Sequence, residues 1–403
     1  MPRTVYKNRL NTSSPDVVVQ GGNLLQVMDG FGASETYLGG QSDGVMDLLF
    51  DQSSGIGLSL MRVGINEDGV SMGTWSNITK AVARGAKIIA LPWSAAAVQK
   101  DNNDLFNGGH LLTGSYGAWS DSLAAFQATM IANTSGVSSL YALSVQSEPD
   151  FSAPYATMLY TTAEMVAFWK VLAPKVAALT PRPLLVSPDT ASWSTAWSYA
   201  DALLADAVAA PYLDRVAGHQ YAGMGASTGN WRGRKWMSEM STFDSFDGSM
   251  TNGLVVAAQI HAALTTGGAS AWIYWWMVRA GQSDNEGLHD TSSPTKRLYV
   301  LGNWSKFVRP GMTRIALSGS VSNVDMTAFK NTSTGDVVIV AVNTSASIVR
   351  CTFGLEGSAP PTYVPWVTSS AFNLQSQAAI PGGSAFSVTL PALSVTSFVG
   401  AAA

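Results

Sequence analysis

Leu140-Tyr-Ala-Leu-Ser-Val-Gln-Ser-Glu148-Pro149-Asp150 is a short apolar run that stops abruptly at a carboxylate followed by proline. A run of this length and composition reads as a strand buried on both faces. Glu148-Pro149 ends it, because proline lacks the N–H that would continue a ladder. The Glu148 carboxyl is thereby aimed out of the strand's C-terminal edge. Lys235-Trp-Met-Ser-Glu239-Met240 repeats the form, the two glutamates lying 91 positions apart.

Working outward, apolar runs of the same kind recur between residues 26 and 310. They are Gln26–Phe31, Leu58–Val63, Ala86–Pro92, Leu140–Val145, Pro183–Val186, Arg215–His219, Lys235–Ser238 and Ala271–Val278. Amphipathic stretches separate them, with helices expected over Thr74–Gly85, Trp119–Asn133, Thr162–Leu179, Ser198–Ala209 and Gly253–Thr266. Gly85 and Gly267-Gly268 stand where a helix should stop. Eight near-continuous apolar strands alternating with helices predict an α/β fold closed as a (β/α)8 TIM barrel. The two glutamates then end strands four and seven, at the barrel face where active sites form.

After Arg309-Pro310-Gly311 the periodicity changes to short alternating strands, as in Asp336–Val342 and Ala385–Leu390. These predict an attached antiparallel β-sandwich. Thr4–Val19 also reads as a strand and is expected to complete that sandwich from the other end of the chain. The expected division is therefore 1–25 joining the sandwich, 26–310 as the barrel and 311–403 as the sandwich domain.

Composition narrows the function. The 403 residues are 12% charged and 10% aromatic, with 13 Trp and a net charge of −4. That excludes a disordered chain, and no basic stripe or polybasic segment points to nucleic acid or an anionic membrane. A neutral, aromatic-rich surface suits an uncharged ligand with apolar faces, such as a sugar. The single Cys351 excludes an internal disulfide and reads as a small buried hydrophobe in a strand. Four scattered His with no HExxH pattern lead us to expect no metal, and nothing points to an organic cofactor. No segment approaches a transmembrane span. The N-terminus lacks the apolar run of a signal peptide, so the chain is expected either to be cytoplasmic or to have lost a leader.

Two carboxyls at one barrel face can divide glycoside cleavage, one as acid/base and one as nucleophile. Residues of fitting types end the neighbouring runs. Arg62 ends the second, where a cation would hold the nucleophile ionised. Trp93 ends the third and Trp276 the eighth, each a flat apolar platform for a sugar ring. Tyr221 ends the sixth, within reach of the nucleophile. Tyr155, beyond the acid/base, is a candidate platform on the leaving-group side. Gly225-Ala-Ser227-Thr-Gly229 matches a serine-hydrolase pattern, but it lacks the preceding strand and following helix that the chemistry needs and reads as a flexible loop.

The chain resembles family 30 of the glycoside hydrolases, a retaining family with a (β/α)8 barrel and an attached β-sandwich. The resemblance rests on Asp29-Gly-Phe-Gly32, Leu60-Met-Arg62, Pro92-Trp93-Ser94, Val145-Gln-Ser-Glu-Pro-Asp150, His219-Gln-Tyr221, Trp236-Met-Ser-Glu239, Trp275-Trp276 and Lys306-Phe-Val-Arg-Pro-Gly311, in order over nearly the whole length. It implies Glu148 as acid/base and Glu239 as nucleophile. Spacing is most similar to the family's β-1,4-xylanases, which implies a secreted, monomeric enzyme acting on polysaccharide or oligosaccharide. β-1,6-Galactanase and β-1,6-glucanase are the alternatives within the family, and a catalytically weakened carbohydrate-binding protein is the alternative outside enzymes.

Two departures stand out. Relatives usually carry Asn immediately before the acid/base, bonding the sugar 2-hydroxyl; here Ser147 is shorter. Xylanases that require a glucuronic acid branch typically read Trp-Trp-Tyr-Ile-Arg-Arg, the second Arg gripping the branch carboxylate. This chain reads Trp275-Trp276-Met277-Val278-Arg279-Ala280, so no strict need for that branch is expected. Arg279, next to Ala280 on a strand, is expected to face away from the pocket.

Overall fold

The computed structural model describes residues 14–281, 283–290, 292–357 and 359–402. Eight parallel strands form the central sheet: β1 Gly30–Ser34, β2 Leu60–Ile65, β3 Lys87–Pro92, β4 Leu140–Ser144, β5 Leu184–Val186, β6 Val216–Gly218, β7 Lys235–Met240 and β8 Ala271–Tyr274. Their order is β5-β4-β3-β2-β1-β8-β7-β6. Parallel bridges Val186–Arg215 and Thr190–Gly218 bring β5 against β6 and all but close the ring. The barrel is filled by Leu60, Ile89, Ala142, Val186, Ala217, Trp236, Ala271 and Ile273, while a larger apolar shell lies between the strands and their helices. Each strand is thus buried on both faces, which is why the runs are apolar throughout rather than alternating. Gly32 lets β1 lie close to β2: a Cβ there would fall 2.5 Å from the Leu60 carbonyl oxygen.

Helices follow as expected, at Trp75–Ala83, Tyr116–Asn133, Thr162–Ala177, Ala196–Ala205 and Met250–Thr265. The Thr162 helix opens on a capping box, with Thr161 and Glu164 bonding each other's backbone N–H. Between β6 and β7 the described chain forms no helix. The Gly225–Gly229 pattern lies in that irregular loop, so it carries no nucleophile elbow.

Two expected runs are each split. Gln26–Phe31 was expected as one strand; instead Val17–Val27 belongs to the sandwich and β1 starts at Gly30. The break is Asp29, a buried carboxylate at the barrel's N-terminal end bound by Arg215 Nε at 2.8 Å, by Arg234 and by the Trp236 indole at 2.8 Å. Ala271–Val278 is likewise two strands. β8 ends at Tyr274, and Trp276–Val278 pairs instead with Gly287–His289, so Trp276 lies beyond the barrel strand rather than at its end.

The second sheet runs, in order, through Gln375–Ser376, Thr362–Thr368, Ser394–Gly400, Val337–Asn343, Val324–Lys330, Thr313–Gly319, Val17–Val27, Val349–Glu356 and Ala385–Leu390. The N-terminal strand lies antiparallel to Thr313–Gly319 and parallel to Val349–Glu356. It crosses the expected boundary at residue 25, because Asp29 rather than residue 25 is where the chain turns into the barrel. The part of the expected Thr4–Val19 strand before residue 14 lies outside the described residues. Cys351 is buried in Val349–Glu356, where burial pushes its thiol up to about 12. The helix Lys296–Ser305 joins the two parts. Asn303 Nδ2 donates to the Trp366 carbonyl at 3.0 Å and to Ser397 Oγ at 2.9 Å, and Trp304 Nε1 to Thr327 Oγ1 at 3.1 Å. No helix among the described residues is long and apolar enough to cross a membrane.

Candidate active site

Both glutamates reach the same cleft by departing from regular backbone. Glu148 adopts φ +51°, sparsely populated for a residue with a Cβ. The turn is held by its N–H donating to the Asp189 carbonyl at 2.9 Å and by Phe151 N–H returning to the Glu148 carbonyl at 3.1 Å. On β7 the pairing with β8 slips: Trp272 faces Met237 but Tyr274 faces Met240, so β7 carries one extra residue. Strict alternation would turn Ser238 and Glu239 to opposite faces. The bulge brings both inward, Ser238 Oγ donating to Asp189 and Glu239 reaching Arg62 and Tyr221.

The two carboxylates sit in one buried network. Glu239 Oε2 lies 2.6 Å from Arg62 Nη1, and Glu239 Oε1 accepts from the Tyr221 hydroxyl at 2.9 Å. Glu148 Oε1 lies 2.9 Å from His219 Nδ1, and its Oε2 accepts from the Tyr155 hydroxyl at 3.2 Å. His219 Nε2 is 3.4 Å from Asp189 and 3.9 Å from Glu239. One donor atom each from Glu148, His219 and Glu239 falls within 4.8 Å of the others. Ser147 Oγ receives Arg62 Nη2 at 3.4 Å.

The structure therefore brings together Arg62, Ser147, Glu148, Tyr155, Tyr221 and Glu239. Trp93 is stacked under the Arg62 guanidinium at 4.9 Å and tilts against Trp275 at 5.8 Å, which in turn stacks on Trp276 at 4.8 Å. Tyr155, a candidate sugar platform by sequence, is in the structure a hydrogen-bond donor to Glu148.

Burial alone would push the Glu148 carboxyl up. The hydrogen bond and charge of His219, the Tyr155 hydroxyl and the charge of Arg62 outweigh it and hold the group below its ordinary range. Burial works against the His219 imidazolium, but Glu239, Asp189 and Glu148 around it lift it to about 10. Burial and the charge of Glu239 push the Tyr221 hydroxyl well up, so it stays a donor. Glu148, His219 and Glu239 have the spacing of metal ligands. Their electrostatics fit a proton network instead, because Arg62 already neutralises Glu239 and His219 carries a proton that a metal would have to displace.

His219 and Asp189 were not singled out from sequence, although each is a polar residue just past an apolar run, the signal that marked Glu148. A further buried carboxyl, Glu35, follows β1. Its Oε2 accepts from Thr74 N–H at 3.2 Å and Asn77 Nδ2 at 3.4 Å, and it fills the space where a Cβ on Gly73 would sit. Burial lifts it from 4.5 to about 8, against the opposing bonds of Thr74, Asn77 and Ser71. A group raised in the folded state stabilises fully below 4.5, and the contribution is lost as pH rises through about 8. Glu35→Gln, which keeps the hydrogen bonds without the charge, should make the fall of Tm across that window shallower in calorimetry. Parallel Tm–pH curves for the two proteins would contradict a protonated Glu35.

The cleft encloses about 930 Å³. Besides the carboxylates it is lined by Tyr37, Phe151, Tyr155, Phe243, Trp275 and Trp276 among others. Phe243 is 64% exposed and stacks on Tyr221 at 5.4 Å. Arg279 does not line the cleft. It lies over Trp276 at 4.8 Å, bound to Glu286 and, at 2.9 Å, to Asp284.

Comparison with known proteins agrees with this architecture. Residues 311–398 match the glycosyl hydrolase family 30 beta sandwich domain. The glucuronoxylanase XynC of Bacillus subtilis (strain 168) is 29% identical over 417 aligned positions, covering 96% of this chain and 92% of the relative. The structure of a family 30 subfamily 8 xylanase from Clostridium acetobutylicum is 30% identical, with a TM-score of 0.84, covering 96% of this chain and 100% of that one. A family 30 endoxylanase from Clostridium papyrosolvens is 30% identical with a TM-score of 0.80 over the same shares. Identity of this level sustained along both barrel and sandwich shows that the chain belongs to glycoside hydrolase family 30, enzymes that hydrolyse O-glycosidic bonds.

Proposed function

We propose that the enzyme cleaves β-1,4-xylan or xylo-oligosaccharides with retention of anomeric configuration, through a covalent glycosyl-enzyme, and without strict need for a glucuronic acid branch. The observation that carries the mechanism is the closeness of Glu148 and Glu239, an oxygen of each lying within 4.8 Å of the other. Retaining pairs sit roughly 5–5.5 Å apart, whereas inverting pairs need roughly 6.5–9.5 Å to admit a water. Glu239 is the nucleophile in this reading, since the Arg62 guanidinium and the Tyr221 hydroxyl hold its carboxylate in place in the cleft. Glu148 is the acid/base. Sugar entering the cleft strips its remaining water, and desolvation is already the strongest influence raising it, so substrate binding favours the proton it must donate. The proton on His219 Nδ1 lies along the 2.9 Å contact to Oε1.

The substrate follows from the relatives named as xylanases at about 30% identity over nearly the whole chain. The Trp275–Trp276 stack, with Trp93 tilted against Trp275, supplies faces for sugar rings. Branch independence is supported by Ala280 and by an Arg279 already held by two carboxylates. A polymer substrate implies a secreted enzyme, and one chain supplies both carboxylates and their partners, so a monomer suffices.

Reducing-sugar release should be found with xylan and not with β-1,6-galactan or β-1,6-glucan; the reverse pattern would replace the substrate, and no release from any would favour a binding protein. Proton NMR of early hydrolysis should show the β-anomer appearing first. An α-anomer in the first spectra would overturn the retaining mechanism.

A further inference from the structure

The cleft is lined by four carboxylates, Glu148, Asp150, Glu239 and Glu286, and by no Lys, Arg or His among the described residues. Arg62 and His219 are turned into the network behind it, almost wholly buried. At the Trp276 wall Arg279 has a nitrogen on Asp284 and another on Glu286, with its flat face on the indole, while the second cation nearby, Arg297, is wholly buried behind the wall, on the Gly287 carbonyl and Asn285 Oδ1. The guanidiniums of Arg279 and Arg297 thus lie among three carboxylates, Asp247, Asp284 and Glu286, leaving net negative charge, and both Nη nitrogens of Arg279 are already engaged by carboxylates. Backbone pairing fixes the arrangement, since Trp276 N–H donates to the Glu286 carbonyl at 3.2 Å and Trp276 sits in register with Gly287.

We infer that this cleft selects uncharged polysaccharide chains, and that Glu286 is the specificity-determining residue that turns away a carboxylate on the sugar beside Trp276. The inference rests on the xylanase reading and goes further: branch independence needs only a missing grip, whereas like charge on a desolvated wall gives active discrimination.

The test compares native glucuronoxylan with the same polymer after its uronic acids are reduced to primary alcohols. At neutral pH and low ionic strength, kcat/KM should favour the reduced polymer by roughly three- to tenfold. The gap should close with added salt, as the screening length falls to roughly 3 Å at 1 M. Glu286→Gln should narrow the low-salt gap whatever it does to the rate on either polymer. Equal or faster hydrolysis of the native polymer at low salt, or a gap indifferent to salt, overturns the inference. If neither polymer is cut, the xylanase reading fails by itself. The charge rule is then decided on whichever polysaccharide is cut, before and after carboxymethylation: slower low-salt hydrolysis of the charged form upholds it, and equal rates refute it.

Discussion

Replacing Glu239 by alanine is expected to lower kcat at least roughly ten-thousandfold on every substrate, because in the proposed mechanism it is the nucleophile, without which no covalent intermediate forms. Glu148→Ala should behave differently. In the proposed mechanism it removes the proton donor to the leaving group and the base for the second step, so natural substrates should lose activity on a comparable scale. Aryl glycosides with acidic phenols need no protonation and should still load the enzyme, giving a burst of phenol followed by slow turnover. Azide, small and needing no general base, should accelerate that second step and yield a β-glycosyl azide. An α-azide obtained instead from the Glu239 variant would exchange the two roles. The distinction is readable because Glu239 is held by a guanidinium at 2.6 Å, whereas the neighbours of Glu148 are a phenol and an imidazole.

His219→Gln carries the second large effect, and it shows in two readouts. His219 is fully buried between Glu148, Asp189 and Glu239. Its folded value of about 10 exceeds the ordinary 6.5. The sign follows from linkage: a proton held more tightly in the folded state stabilises fully below 6.5, and that stability drains as pH rises through about 10. Breaking such a buried charged network costs roughly 3–5 kcal/mol. The Tm of wild type should therefore fall from near neutrality towards pH 10, while the variant starts lower and varies less over that window. Loss of the imidazolium also removes what holds Glu148 down, so the alkaline limb of kcat/KM should move to higher pH. A purely structural role would lower Tm and leave that limb in place. A variant as stable as wild type below pH 6.5 would mean that His219 carries no proton in the folded protein.

The barrel was legible because its strands are buried on both faces, so each reads as an uninterrupted apolar run whatever its neighbours. That both glutamates line one cleft was legible because a carboxylate right after a buried apolar run must leave the apolar layer at the strand's end. Trp93 and Tyr221 carried the same positional signal, whereas Arg62, expected to end its strand, is the third of the six residues of Leu60–Ile65. Asp29 was quoted within a motif but not recognised as a break, since its partners Arg215, Arg234 and Trp236 lie some two hundred positions away. The role of Arg279 was equally hidden: strand alternation was expected to turn it from the cleft, but the strand ends at Val278, and its clamp on Asp284 and Glu286 depends on a second strand returning beside it.

The amino-acid sequence by itself determined the layers of this protein, the number of its barrel strands and which carboxylates stand at their ends, because burial and backbone hydrogen bonding act residue by residue along the chain. What only the tertiary structure decided is where those carboxylates point and what charge they hold. The β7 bulge that turns Glu239 inward exists only against β8. The left-handed turn at Glu148 is held by Asp189 from the next strand. The proton on His219 is a property of three carboxylates converging from three strands. Electrostatics in a desolvated site depends on distances between residues far apart in sequence, and only folding sets those distances.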